Sequence, residues 1–91
     1  MSKSLHISLD VKLTGQRIRT VMIKHGYTVR QIQDILNLAC PQSIYRWIHG
    51  YTLPSVDNLY RLSKLFCVHM EDLLVDGAAD ETVDKSENEM E

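Results

Sequence analysis

The chain has 91 residues, 44% of them hydrophobic, which suits one small globular domain. No apolar run approaches the roughly 18 residues of a membrane span, and the amino terminus lacks the pattern of a secretory signal. The net charge of −2 hides a split: residues 1–74 carry nine Lys/Arg against five Asp/Glu, a net of +4, while residues 75–91 carry one Lys against seven acids, a net of −6. Cys40 and Cys67 have the spacing of neither a disulfide framework nor a metal site, so reduced thiols in a cytoplasmic protein are expected.

In chain order, Leu5, Ile7, Leu9, Val11 and Leu13 alternate with His6, Ser8, Asp10 and Lys12. A period of two predicts a β-strand with one buried face in an N-terminal arm, residues 1–13. A lone strand needs a partner. It finds one either in the same strand of a second copy, paired antiparallel about a two-fold axis, or by lying over the helices as an arm. Leu5, Ile7, Leu9 and Val11 are the dimerisation candidates.

After Gly15 the period lengthens to that of a helix. The first helix is expected over 16–25, with Ile18, Val21 and Met22 as its stripe and Gly26 as its stop. Thr28 opens a second helix, and Gln31 completes a capping box with it. Ile32, Ile35 and Leu36 form its buried stripe, and Asn37, tolerant of the left-handed conformation, ends it. A third helix begins near Pro41, whose missing N–H suits a first turn, and stops at Gly50. Ser55 caps a fourth, with the stripe Leu59, Leu62, Leu65 and Phe66, and a short fifth over 70–74 offers Leu73 and Leu74. Five short helices with short links over residues 14–75 predict a compact all-α domain. The tail, residues 76–91, has too few large apolar residues to order itself, and disorder is expected there.

The stretch "CPQSIYRWIHG", residues 40–50, concentrates the chemistry. Ile44, Trp47 and Ile48 share one helical face; Gln42, Arg46 and His49 share the other. A helix this short cannot stand alone, so its apolar face must dock. Only residues 37–40 separate it from the helix before, and two short helices across such a turn describe a helix-turn-helix, whose second helix enters the DNA major groove. Gln42 matches the N6/N7 edge of adenine and Arg46 the O6/N7 edge of guanine. Ser43 and Tyr45 flank them, within reach of a phosphate or a thymine methyl, and His49 suits a phosphate. Trp47 reads as core, because it shares its face with Ile44 and Ile48. Cys67 and His69 have no second pair of ligands near them, so no metal and no cofactor is expected.

From Thr14 to Leu74 the sequence resembles the lambda-repressor-like helix-turn-helix family (Cro/cI or xenobiotic-response-element type). The residues that carry the likeness are "GQRIR" at 15–19, "T..QI..IL" at 28–36, "SIYRWIHG" at 43–50, "LPSVDNLYRLSKLF" at 53–66 and "MEDLL" at 70–74. The resemblance implies a five-helix domain that binds double-stranded DNA, usually as a homodimer on a palindromic operator and usually to repress transcription. It also implies that Gln42 and Arg46 face bases, helped by residues near Tyr45. Expected base contacts are Gln42, Ser43, Tyr45 and Arg46; expected phosphate contacts are Arg17, Thr28, Arg30, Gln31, His49, Tyr51 and Thr52. The sequence departs from the family pattern at five places. Val29 replaces a frequent Gln, Ile48 replaces an acid that would pair with Arg17, the turn "NLACPQ" between helices two and three is one residue longer than the commonest form, Cys40 stands where Ser would cap, and Cys67 replaces the Gly that closes helix four.

Two other classes compete. The same fold serves as a protein-interaction module, such as an antitoxin or anti-repressor working through arm and tail; the direction of Gln42 and Arg46 discriminates. An enzyme is a poor fit: His6, His25, His49 and His69 are dispersed over different elements, and a chain this small has little room for a deep pocket of about 300 Å³ or more. No small-molecule ligand and no membrane partner is evident.

Overall fold

Local capping sets the ends of each helix in the computed structural model, which describes residues 7–77. Helix α1 runs Val11–Lys24, with Asp10 as its cap: the Leu13 N–H donates to the Asp10 carboxylate at 2.8 Å. Helix α2 is Val29–Ile35, and its capping box is complete: Gln31 N–H donates to Thr28 Oγ1 at 3.1 Å while Thr28 N–H donates to Gln31 Oε1 at 2.8 Å. Helix α3 is Gln42–Ile48. Pro41 is its cap residue, already helical in backbone, and its carbonyl accepts from Tyr45 N–H at 3.2 Å. Ser55 caps α4, Val56–Phe66, and Asp72 accepts the His69 N–H before α5, Met70–Leu73.

The expected strand is corrected from Val11 onward. A cap at Asp10 and inward-facing residues at 14, 15, 18 and 22 make this segment helical. Two of those four are Thr14 and Gly15, too small or too polar to show in an apolar pattern, while Leu13 of the alternating run is left 44% exposed. Gly15 is therefore an interior residue of α1, and the helix starts five residues before the expected 16. The arm ahead of it finds its partner within the chain. Leu9 forms an antiparallel bridge with Asp76, Asp10 N–H donates to Val75 carbonyl at 2.7 Å, and Gly77 N–H donates to Ser8 carbonyl at 3.1 Å. The buried Thr14 hydroxyl accepts the Val75 N–H at 3.0 Å and fastens the segment after α5 to α1. Leu5, His6 and the acidic run from residue 78 lie outside the described residues.

Four helix ends turn through the left-handed region: Gly26, Gly50, Asn37 and Cys67, the last two at φ 56° and 58°. Cys67 thus keeps the backbone that glycine would take without strain. The core is Ile18 and Met22 of α1, Ile32 of α2 with Leu36 just after it, Ile44 and Trp47 of α3, Leu59, Leu62 and Phe66 of α4, and Leu73 of α5. Val21, Ile48, Leu65 and Leu74 line its edge half-buried. Ile35, expected inside, is 52% exposed, because a seven-residue helix buries only the side that carries Ile32 and leads to Leu36.

Helices α1 and α3 cross with their backbones almost touching. A Cβ on Gly15 would overlap the Trp47 carbonyl oxygen, and one on Gly50 would lie 2.8 Å from Lys12 Cα. This crossing seats α3 on the core by one face and leaves its other face outward. Among the described residues no helix is long and apolar enough to cross a membrane.

Candidate nucleic-acid interface

The two faces of α3 separate as the sequence pattern predicts. Ile44 and Trp47 are 1% and 4% exposed, whereas Gln42, Tyr45, Arg46 and His49 face solvent and Ser43 is half-buried. Burial of the two large side chains is worth about 1.5–3 kcal/mol each, enough to hold a helix that has no independent stability.

The link from α2 to α3 is tied at both sides. Leu38 N–H donates back to Gln33 carbonyl at 3.0 Å, Gln33 Nε2 donates to Leu38 carbonyl at 3.4 Å, and the Arg61 guanidinium of α4 donates to Leu36 carbonyl at 2.9 Å. After α3 the chain folds back on it: the amides of Tyr51 and Thr52 both donate to Arg46 carbonyl, at 2.9 and 3.3 Å. That turn places the 73%-exposed Tyr51 beside His49, whose ring lies 6.5 Å from it and 6.0 Å from Tyr45. Tyr45, His49 and Tyr51 form a row of rings along the outer side of α3.

Two open furrows flank that row. One, of about 550 Å³, runs between α1 and α3 and is lined by Gln16, Arg19, Ile23, Val29, Tyr45 and His49, with Met22 and Ile48 at its floor. The other, of about 320 Å³, lies between α2 and α3, lined by Val29, Arg30, Gln33, Asp34, Pro41 and Tyr45. Val29, at the position where the resemblance implies a glutamine, lines both and gives them an apolar patch.

The cations sort by position. Arg19, Arg30 and Arg46, and Lys12 at the start of α1, make no side-chain hydrogen bond or ion pair with any described residue. Arg17, expected at a phosphate, has its guanidinium engaged within the fold: it donates to the Asp72 carbonyl at 2.7 Å and ties α1 to α5. Residues 17 and 19 lie about 200° apart around a helix of 3.6 residues per turn, so one meets α5 while the other rims the furrow beside α3. Arg19 was not singled out by the sequence reading. Its signal is its phase: Gln16, Arg19 and Ile23 share one side of α1, but only the fold decides which neighbour that side meets.

Of the other expected phosphate contacts, Arg30 lines the α2–α3 furrow, and Tyr51 and Thr52 stand in the turn after α3. Thr28 and Gln31 are engaged with each other, the Thr28 hydroxyl also donating to Gln31 Oε1 at 3.3 Å, so Gln31 Nε2 is that pair's remaining side-chain donor. The dimerisation candidates are not brought onto one strand: Ile7 is 88% exposed, Leu9 is in the bridge to Asp76, Val11 is half-buried in α1, and Leu5 lies outside the described residues. Cys40 and Cys67 are exposed thiols, and no group of three or more His, Cys, Asp or Glu among the described residues could hold a metal ion.

No curated protein matches the sequence significantly. Solved structures share the fold. The DNA-binding domain of BldD superposes with a TM-score of 0.60 at 17% identity, over 71% of this chain and 93% of that one. The BldD DNA-binding domain of S. venezulae gives 0.60 at 17%, over 71% and 96%. The restriction-modification controller protein C.AhdI from Aeromonas hydrophila gives 0.63 at 19%, over 70% and 96%. These identities speak for the fold alone. The model of a helix-turn-helix family matches residues 18–73, from the core of α1 through the last residue of α5. With five helices in that order, α3 docked by Ile44 and Trp47 and its polar face outward, the chain belongs to the helix-turn-helix family of the lambda-repressor-like type.

Proposed function

We propose that this DNA-binding regulator is sequence-specific for double-stranded DNA, reads the major groove with α3, and represses transcription as a homodimer on a palindromic operator. The observation that carries the reading is the division of α3: a face buried on the core, opposite a face whose Gln42 and Arg46 side chains are solvent-exposed and bonded to no described residue. In this reading Gln42 takes adenine and Arg46 takes guanine, each through a bidentate pair. Ser43 and Tyr45 meet neighbouring base edges or a thymine methyl. Arg19 and Arg30, on opposite rims, straddle the groove and neutralise phosphates, with Arg17, Gln31, His49, Tyr51 and Thr52 adding further phosphate contacts and Thr28 holding Gln31 in place. The row Tyr45–His49–Tyr51 limits the rotamers of its members before DNA arrives, which lowers the ordering cost of binding. The solved structures that share the fold include two DNA-binding domains and a controller protein, which supports the same class. The exposed Ile7 and Leu9 of the arm are the surface offered for the second copy.

The test is selection from a randomised duplex library at moderate salt, run beside Arg46→Ala. The expected result is a two-fold symmetric motif whose enrichment collapses in the variant, with about 1–3 kcal/mol lost at one base pair per half-site. A well-folded protein that enriches no motif overturns the reading and leaves the partner-binding module.

A further inference from the structure

We propose that the acidic segment of this chain, residues 78–91, docks on the outer face of α3 and its α1 rim, so that the protein occupies its own nucleic-acid face at low salt. The inference rests on the reading of that face as the DNA interface.

Charge, exit point and reach point to the same place. The segment carries Asp80, Glu81, Asp84, Glu87, Glu89 and Glu91 against the single Lys85. The cations with no partner among the described residues include Lys12, Arg19, Arg30 and Arg46, all on α1–α3. On the opposite side the cations are engaged: Arg61 with Asp57 at 2.9 Å, Arg17 with the Asp72 carbonyl at 2.7 Å, and Lys64 over the Tyr60 ring at 5.3 Å. That side also carries Glu71 and Asp72 of α5, which repel an acidic segment. The last described residue, Gly77, donates to Ser8 carbonyl at 3.1 Å and lies against Asp10 at the start of α1. Two residues on, Lys12 packs against Gly50, which closes α3. The described chain therefore ends against the first turn of α1, the same turn that packs on the residue closing α3. Fourteen residues span at most roughly 46–50 Å, several times the length of α3, about 10 Å.

Each exposed ion pair is weak, of order 0–1 kcal/mol. The tether compensates by presenting the acids at an effective concentration of order mM. The contact is accordingly loose, spread over several cations and sensitive to salt. DNA that covers the face must displace it, so the cost falls on operator and nonspecific duplex alike.

The experiment compares the full chain with a variant carrying Asp80→Asn, Glu81→Gln, Asp84→Asn, Glu87→Gln, Glu89→Gln and Glu91→Gln, all outside the described residues. Duplex binding is titrated at two salt concentrations, and amide NMR spectra of both proteins are recorded without DNA. The neutralised chain is expected to bind a nonspecific duplex about 3- to 10-fold more tightly at ~50 mM salt and less than ~2-fold more tightly at ~300 mM. Amides of α3 and around Arg19 are expected to shift between the two proteins, and added salt to remove the difference. Equal affinities and superimposable spectra over residues 7–77 overturn the proposal. Shifts that grow with protein concentration put the acids on a second copy and overturn the intramolecular contact. Salt-sensitive shifts with no duplex binding by either protein support the contact and overturn the DNA reading instead.

Discussion

Two sides of this molecule use the same residue type in opposite ways. On the α4–α5 side, Arg61 donates to the Leu36 carbonyl at the end of α2, and Arg17 donates to the Asp72 carbonyl near the end of α5. Both satisfy oxygens that a helix leaves unpaired at its C-terminus, where a cation is also favoured by the helix dipole. On the α1–α3 side, the end of α3 needs no such help. His49 N–H reaches Tyr45 carbonyl, Gly50 N–H reaches Trp47 carbonyl, and Tyr51 and Thr52 N–H reach Arg46 carbonyl, at 2.9, 3.1, 2.9 and 3.3 Å. Arg46 can therefore stay outward, and Arg19 and Arg30 with it. The difference teaches that an arginine here is held by the scaffold or left facing solvent according to whether an orphan carbonyl lies within its reach.

Substitutions can break or sharpen that contrast, and the largest effect is expected where both sides depend on one contact. Gly15→Ala pushes a Cβ into the Trp47 carbonyl and forces α1 from α3, so unfolding in urea should show a loss of about 3 kcal/mol or more, at the upper end of overpacking costs. A loss below ~0.5 kcal/mol, the range of an ordinary surface change, would mean that the two helices do not meet so closely. Arg61→Ala leaves the Leu36 carbonyl without its donor and should cost about 1–2 kcal/mol of stability, while duplex affinity per folded molecule stays the same. Arg19→Ala should do the reverse: stability moves by no more than about 0.5 kcal/mol, and the slope of log affinity against log salt falls by about 1. An unchanged slope would remove Arg19 from the interface. The smallest effect is a gain. Cys67→Gly relieves the left-handed backbone at the end of α4 but adds freedom to the unfolded chain, for a net of about 0.5–1 kcal/mol in favour of folding. A destabilised variant would show that the cysteine side chain contributes more than its backbone costs.

What the sequence determines alone is local. Thr28 with Gln31, Ser55, and the stops at Gly26, Asn37 and Gly50 act within five residues of themselves, so each is legible in a short window and each stands where the pattern places it. The docked and outward faces of α3 are legible for the same reason: seven residues carry both. The rest depends on what arrives from far along the chain. Thr14 and Gly15 are inward because Val75 and the α3 backbone close on them, which no apolar count detects. The alternation through Val11 and Leu13 gives way to a helix because Asp10 caps and small residues pack. Arg17 and Arg19 are near-equivalent in sequence, two positions apart, and they part only because a carbonyl 55 residues distant comes within 2.7 Å of one of them. Hydrogen-bond and packing energies act over contacts of about 3–4 Å, and sequence separation carries no such distance. The elements are thus written in the chain, and the division of its cations between those the scaffold engages and those it leaves outward is made by the fold.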